Sequence, residues 1–179
     1  TVAQILLTAP DLKSADRHKK FEDTLKRLLE LGVLPIINEN DTIATEEIEF
    51  GDNDTLSALV AESIHADMLI LLSDIDGLYD SDPSENPNAE IIEIVEEINE
   101  EILSSAGGAG SRRGTGGMKT KLEAAKLVTR FGGKVLIANG KIPYVINKIF
   151  NAEELGTMFI PSDENLSGKK RWIGYATNI

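Results

Sequence analysis

The chain has 179 residues, 41% apolar and 27% charged, a composition that supports one globular domain with a sizeable core and excludes wholesale disorder. Its 30 acidic and 18 basic residues leave a net charge of −12, a field that repels nucleic-acid phosphates; a nucleotide stays admissible because Arg112, Arg113, Lys119 and Lys121 are bunched. No apolar run approaches the roughly 20 residues of a membrane span, Thr1 to Thr8 carry no basic leader, and the absence of cysteine excludes disulfides and thiolate chemistry; the expectation is a cytoplasmic protein with no membrane partner.

Val2 to Thr8 is a short apolar run that reads as a buried strand. A helix is predicted from Asp16 to Leu31, with Phe21, Leu25, Leu28 and Leu29 on one face and Gly32 as its stop. Val33 to Ile37 is the next strand, and the polar Asn38–Thr42 loop leaves its C-terminal end. Ala44 to Phe50 alternates like an exposed hairpin arm, and Asp52 to His65 is a helix apolar on several sides, hence well buried. The continuous apolar run Met68 to Ser73 predicts a central parallel strand, with a turn at Asp74-Ile75-Asp76-Gly77 and a Pro/Asn loop from Ser81 to Asn88. A short strand at Ile91 to Val95 and a helix at Ile98 to Ser104 follow. Then come a glycine-rich loop from Ala106 to Gly117, a helix from Met118 to Arg130 and a strand from Lys134 to Ile137. A helix near Tyr144 and short strands at Gly156–Ile160 and Trp172–Ala176 complete the chain. This alternation argues an α/β layered domain, undivided from 1 to 179, with a mainly parallel sheet. Ligands in such sheets sit beyond the carboxyl ends of strands, where the loops starting at Asn38, Ser73 and Asn139 belong.

Three segments carry the chemistry. The first is the glycine-rich loop, whose missing side chains allow backbone N–H groups to approach phosphate oxygens at the start of a helix. It departs from a Walker A loop because Met118 precedes Lys119-Thr120. Its plainer reading is a flexible surface loop. At helical spacing Lys121 aligns with Ala124, Ala125 and Val128 on the inward face, whereas Lys119 aligns with Glu123 and Lys126 on a solvated face. Lys121 is therefore the candidate for neutralising a transferred phosphoryl group, and Lys119 reads as a surface residue.

The second segment is a pair of amide-and-acid clusters, Asn38 to Asp41 and Gly51 to Asp54. Asp52 and Asp54 are two apart at a predicted helix start, so either can simply cap it, worth about 1 kcal/mol, and this competes with any functional role for them. Capping leaves Asn53 and the earlier cluster unexplained. Asp41 suits an α-ammonium group, Asn53 an α-carboxylate, and Asp54 can hold lysines in place. The third segment is Ser73-Asp74, a hydroxyl and a carboxylate suited to a ribose, a base or a magnesium-linked water; turn formation is the competing reading. His18 and His65 are isolated, Trp172 reads as a packing anchor, and no spacing resembles a zinc site, so no protein-held metal is expected.

These blocks together resemble the amino acid kinase family: INEND (Ile37–Asp41), GDND (Gly51–Asp54) running into TLSALVA, LLSDIDGLY (Leu71–Tyr79), GTGGMKTK (Gly114–Lys121), IANG (Ile137–Gly140) and KRW (Lys170–Trp172). The likeness covers nearly the whole chain and points to the branch that phosphorylates the side-chain carboxylate of L-glutamate with Mg-ATP, giving γ-glutamyl phosphate for proline synthesis. It implies a three-layer αβα sandwich. It implies that Asp41 and Asn53 bind glutamate with Asn38 and Asp52 nearby, and that Ser73 and Asp74 contact ATP. Thr115, Gly116, Gly117, Met118, Lys119, Thr120 and Lys121 form the second nucleotide segment; Lys121 stabilises the transferring phosphoryl group and Asp54 organises the catalytic lysines. ATP and Mg²⁺ are the implied cofactors, with a homo-oligomer (dimer or tetramer) and handover of product to glutamyl phosphate reductase as implied associations.

Two departures qualify the likeness. Family members open with a lysine-bearing strand and a Gly-Ser phosphate loop, and many close with a PUA domain; neither is present in these 179 residues. The expectation is the C-terminal, nucleotide-binding portion of a kinase domain plus part of the glutamate site, with little or no activity alone. Gly110-Ser111-Arg112-Arg113 is also more basic than the pattern. The rival readings are another carboxylate kinase of the family, for acetylglutamate or aspartate, and a non-catalytic amino-acid-sensing or assembly module.

Overall fold

The computed structural model describes residues 1–41, 52–105 and 117–161. The elements run β1 (Val2–Leu7), α1 (Ala9–Lys13), α2 (Ala15–Glu30), β2 (Leu34–Glu39), α3 (Asn53–Ser63), β3 (Met68–Ser73), β4 (Ile94–Val95), α4 (Glu100–Ser105), α5 (Met118–Arg130), β5 (Lys134–Asn139), α6 (Val145–Phe150) and β6 (Thr157–Phe159). The alternation of strand and helix read from the sequence is reproduced. The hairpin arm expected at Ala44 to Phe50 and the strand at Trp172 to Ala176 lie outside the described residues.

Two sheets form. β1 and β2 pair in parallel, Val2 opposite Leu34 and Leu7 opposite Glu39. The larger sheet has the order β3-β5-β6-β4, with β3 parallel to β5, β4 parallel to β6, and β6 antiparallel to β5. Pairing is thus mainly parallel, as the sequence argued. One position differs: among the described residues β3 pairs with β5 alone and ends its sheet, so the strand read as central lies at an edge. Its apolar run misled because Met68 and Leu72 are exposed on one face while Leu71 is buried on the other.

Helices α3 and α5 cover the larger sheet. Leu71, Val135, Ile137 and Phe159 from the strands meet Ala58, Ala61, Leu122, Ala125 and Val128 from the helices in one core. The small alanines let the two helices lie close together. A second core joins Leu7, Leu12, Phe21, Leu25, Leu56 and Leu59, so α3 belongs to both. Between β2 and β3 lies a cavity of ≈ 450 Å³ with α3 as its floor, lined by Pro35, Ile37, Leu56, Val60, Met68 and Leu69 among others.

Glycine decides the seating of β6. Gly156 has φ +73°, and a Cβ there would lie 2.0 Å from the Ile137 carbonyl oxygen, so only glycine lets this backbone touch β5. Beside it the buried Thr157 hydroxyl accepts a hydrogen bond from the Leu78 backbone N–H at 2.8 Å, which ties the segment leaving β3 to β6.

Candidate active site at the strand ends

β3 and β5 are parallel neighbours joined through α5, so α5 must run back along the sheet and begin at the strands' carboxyl ends. The start of α3 lies at that rim too, because its Asp54 touches the start of α5. Asp54 Oδ2 accepts from Lys121 Nζ at 3.0 Å and from Thr120 Oγ1 at 2.8 Å. Lys121 is 8% exposed, although a lysine is seldom so buried unless paired. Helical spacing is the reason: Lys121 shares its inward face with Ala124, Ala125 and Val128, all buried, as the sequence predicted. Lys119 projects into solvent 3.9 Å from Glu123.

Of the two acids that could cap α3, one does. Asp52 is the N-cap, accepting from the Thr55 N–H at 2.7 Å and from its hydroxyl at 3.1 Å. Its carboxylate, expected near the substrate, is thereby engaged in local structure, while Asp54, two residues later, is left to face α5. The Thr120 contact was missed. Nothing local signals it, since its partner lies 66 positions away.

The second part of the rim is the pair Ser73 and Asn139, opposite one another at the last positions of β3 and β5. Ser73 Oγ donates to Asp74 Oδ1 at 3.3 Å, and Asp74 is exposed. Asn139 Nδ2 donates to Asp76 Oδ1 at 2.8 Å, a contact between two strand exits that the sequence reading of Asp74 to Gly77 as a self-contained turn did not foresee.

Asn38 in β2, Asp41 in the turn after it and Asn53 at the start of α3 are exposed, and Asn53 lines the cavity between β2 and β3. Among the described residues no hydrogen bond or ion pair joins Asp41 to Asn53 or to Lys121, and residues 42–51 between the clusters lie outside them. Thr115 and Gly116 also lie outside. Gly117 is the N-cap of α5, and Met118 is buried in the core with Leu122 and Phe159. The described residues contain no group of three His, Asp or Glu able to hold a metal.

The comparisons follow the same outline. The model of the amino acid kinase family matches residues 1–151. The chain is 50% identical over 177 residues to "Glutamate 5-kinase" of Caldanaerobacter subterraneus subsp. tengcongensis, covering 99% of this chain and 48% of the relative. It is 55% identical over 163 residues to "Glutamate 5-kinase" of Clostridium acetobutylicum, 91% of this chain and 61% of that one. The chain therefore spans about half the length of several such relatives. In fold it is similar to carbamate kinase from Giardia lamblia bound to AMP-PNP, with TM-score 0.56 and 22% identity over 79% of this chain and 49% of that one. It is likewise similar to UMP kinase from Bacillus anthracis, with TM-score 0.55 and 17% identity over 78% of this chain and 50% of that one. Buried lysine, partner aspartate and strand-end rim thus sit in a chain that belongs to the amino acid kinase family.

Proposed function

We propose that the chain forms the nucleotide-binding part, and part of the amino-acid site, of an enzyme that transfers the γ-phosphoryl group of ATP to the side-chain carboxylate of L-glutamate. The observation that carries this is the Lys121–Asp54 contact, which joins the helix after the glycine-rich segment to the helix after the amide-and-acid cluster. A nucleophilic carboxylate and a triphosphate repel each other, so the barrier is lowered mainly by positioning and by cations aimed at the transferring group. Asp54 holds the ammonium of Lys121 at the rim. The amino end of α5 adds backbone N–H groups and a favourable dipole for phosphate.

In this reading Ser73 and Asp74 meet the nucleotide, with Gly117 to Lys121 opposite them. Asp41 takes the α-ammonium and Asn53 the α-carboxylate of glutamate, with Asn38 beside them. ATP brings magnesium with it, and the metal's charge offsets that of the β- and γ-phosphates. A homo-oligomer, cytoplasmic location and transfer of the acyl phosphate to a reductase are consistent with this role. The names of the relatives support glutamate as acceptor.

Calorimetry on the chain tests the reading. MgADP and L-glutamate should each bind, Asp41→Ala should lose glutamate alone, and N-acetylglutamate, lacking the ammonium, should not compete. Binding of glutamate or proline without any nucleotide affinity would instead establish a sensing module, and competition by N-acetylglutamate would reassign the acceptor.

A further inference from the structure

The segment leaving β3 is tied down at three points. At its near end the Gly140 N–H donates to the Ser73 carbonyl at 2.8 Å, and a Cβ on Gly140 would come within 3.3 Å of Leu72 Cβ. At its far end the Leu78 N–H reaches the Thr157 hydroxyl, and a Cβ on Gly77 would lie 2.8 Å from that same oxygen. Between them stands the contact from Asn139 Nδ2 to Asp76 Oδ1 at 2.8 Å. Asn139 is itself oriented, because its Oδ1 accepts from the Lys141 N–H at 2.9 Å. That bond settles which end of the amide faces Asp76.

The two carboxylates of the turn consequently differ. Asp76 directs one oxygen to Asn139 and the other toward the Tyr79 hydroxyl at 3.5 Å. Burial, then the negative charge and hydrogen bond of Asp76, push the Tyr79 phenol up, so it stays a donor. Asp74, exposed like Asp76, accepts from the adjacent Ser73 hydroxyl at 3.3 Å. Asp76 is tied across to the exit of β5, whereas the Asp74 contact stays within the exit of β3.

We infer that Asp76 and Asn139 are positioning residues, whose bridge between the exits of β3 and β5 holds Ser73 and Asp74 in the geometry offered to the nucleotide. The inference rests on the nucleotide reading of this rim. An exposed side-chain bridge adds little to global stability. Its loss should therefore register in ligand affinity and local exchange rather than in melting.

The test is a swap. Asn139→Ala removes the bridge without adding charge, and Asn139→Asp sets two carboxylates face to face. Combining Asn139→Asp with Asp76→Asn restores a donor opposite an acceptor at the original net charge. We expect both single variants to weaken MgADP binding about tenfold, within the range for directly coupled neighbours. The swap should return to within about twofold of the parent, and melting temperatures should agree throughout. Hydrogen exchange at the Gly140 amide should quicken in the single variants and recover in the swap. If the parent binds MgADP and Asn139→Ala binds it equally well, the nucleotide reading stands and the positioning role is overturned. Failure of the swap to restore binding overturns it as well. If the parent binds no MgADP, the nucleotide reading falls first and the positioning role with it.

Discussion

A lysine that is 8% exposed beside a carboxylate is costly to place unless the pair is well made, because both ions give up water. The Lys121–Asp54 pair meets that condition through its 3.0 Å contact and the added Thr120 hydroxyl. It follows that removing either partner alone strands the other's charge, whereas removing both does not. Asp54→Ala leaves a buried ammonium without a counter-charge and should cost on the order of 3 kcal/mol in urea unfolding. Lys121→Met keeps the packing but leaves the Asp54 carboxylate with the Thr120 hydroxyl in place of a cation and should cost a similar amount, whereas Asp54→Leu combined with Lys121→Met should lie within about 1.5 kcal/mol of the parent. In a longer enzyme that contains this chain, phosphoryl transfer, followed as hydroxamate formed from the acyl phosphate, should fall by roughly 100-fold or more with Lys121→Met. Unchanged phosphoryl transfer in a folded Lys121→Met variant would show the pair to be structural. Lys121 was identifiable from sequence because its period matched a buried face; Asp54 was identifiable only as one of two acids, and folding chose between them by giving Asp52 the cap.

At the scale of elements, the shortest helix rests on a side chain that bonds to backbone. Helix α1 has five residues, too few to form by itself, and its entry is held by Asp11, whose carboxylate accepts from the Thr8 N–H at 2.8 Å and the Thr8 hydroxyl at 2.6 Å. Partial burial pushes the Asp11 carboxyl up, but the Thr8 hydrogen bonds and Arg17 outweigh it and hold the group below the usual carboxylate range. The folded form therefore binds this proton less readily than the unfolded form. The contribution is fully present above the unfolded value and is lost as pH falls through the lower folded one. Asp11→Asn should cost about 1 kcal/mol at neutral pH, with the difference from the parent closing below about pH 4. Parallel urea titrations across pH would reveal it, and a constant gap would refute it. Sequence periodicity missed α1 because five residues show no period, whereas α5, with thirteen, was located from Met118 to Arg130.

For the whole molecule the division of the strands into two sheets dominates. Val2 and Leu6 of β1 are 61% and 44% exposed, and Leu34 and Ile36 of β2 are 62% and 53% exposed, all on the face turned away from α2 and α3. Parallel sheets are ordinarily covered on both faces, and unpaired strand edges invite association. The 179-residue chain should accordingly self-associate at micromolar concentration and bind anilinonaphthalene sulfonate. Ile36→Lys should reduce both with little loss of melting temperature, as sedimentation velocity and fluorescence would record. A monomer that binds no dye would contradict this description of the surface.

Composition, hydrophobic period and local motifs determined much of this protein: its α/β class, the order of most elements, and the segments that carry amides, acids, glycines and lysines. These are properties of neighbouring residues, so they can be read along the chain. Tertiary structure alone decided which acid caps α3 and which meets Lys121, that Asp76 answers Asn139 across 63 positions, and that β3 ends a sheet. Such contacts depend on how crossover helices return the chain to one rim, and their partners are too far apart in sequence for any local period to couple them.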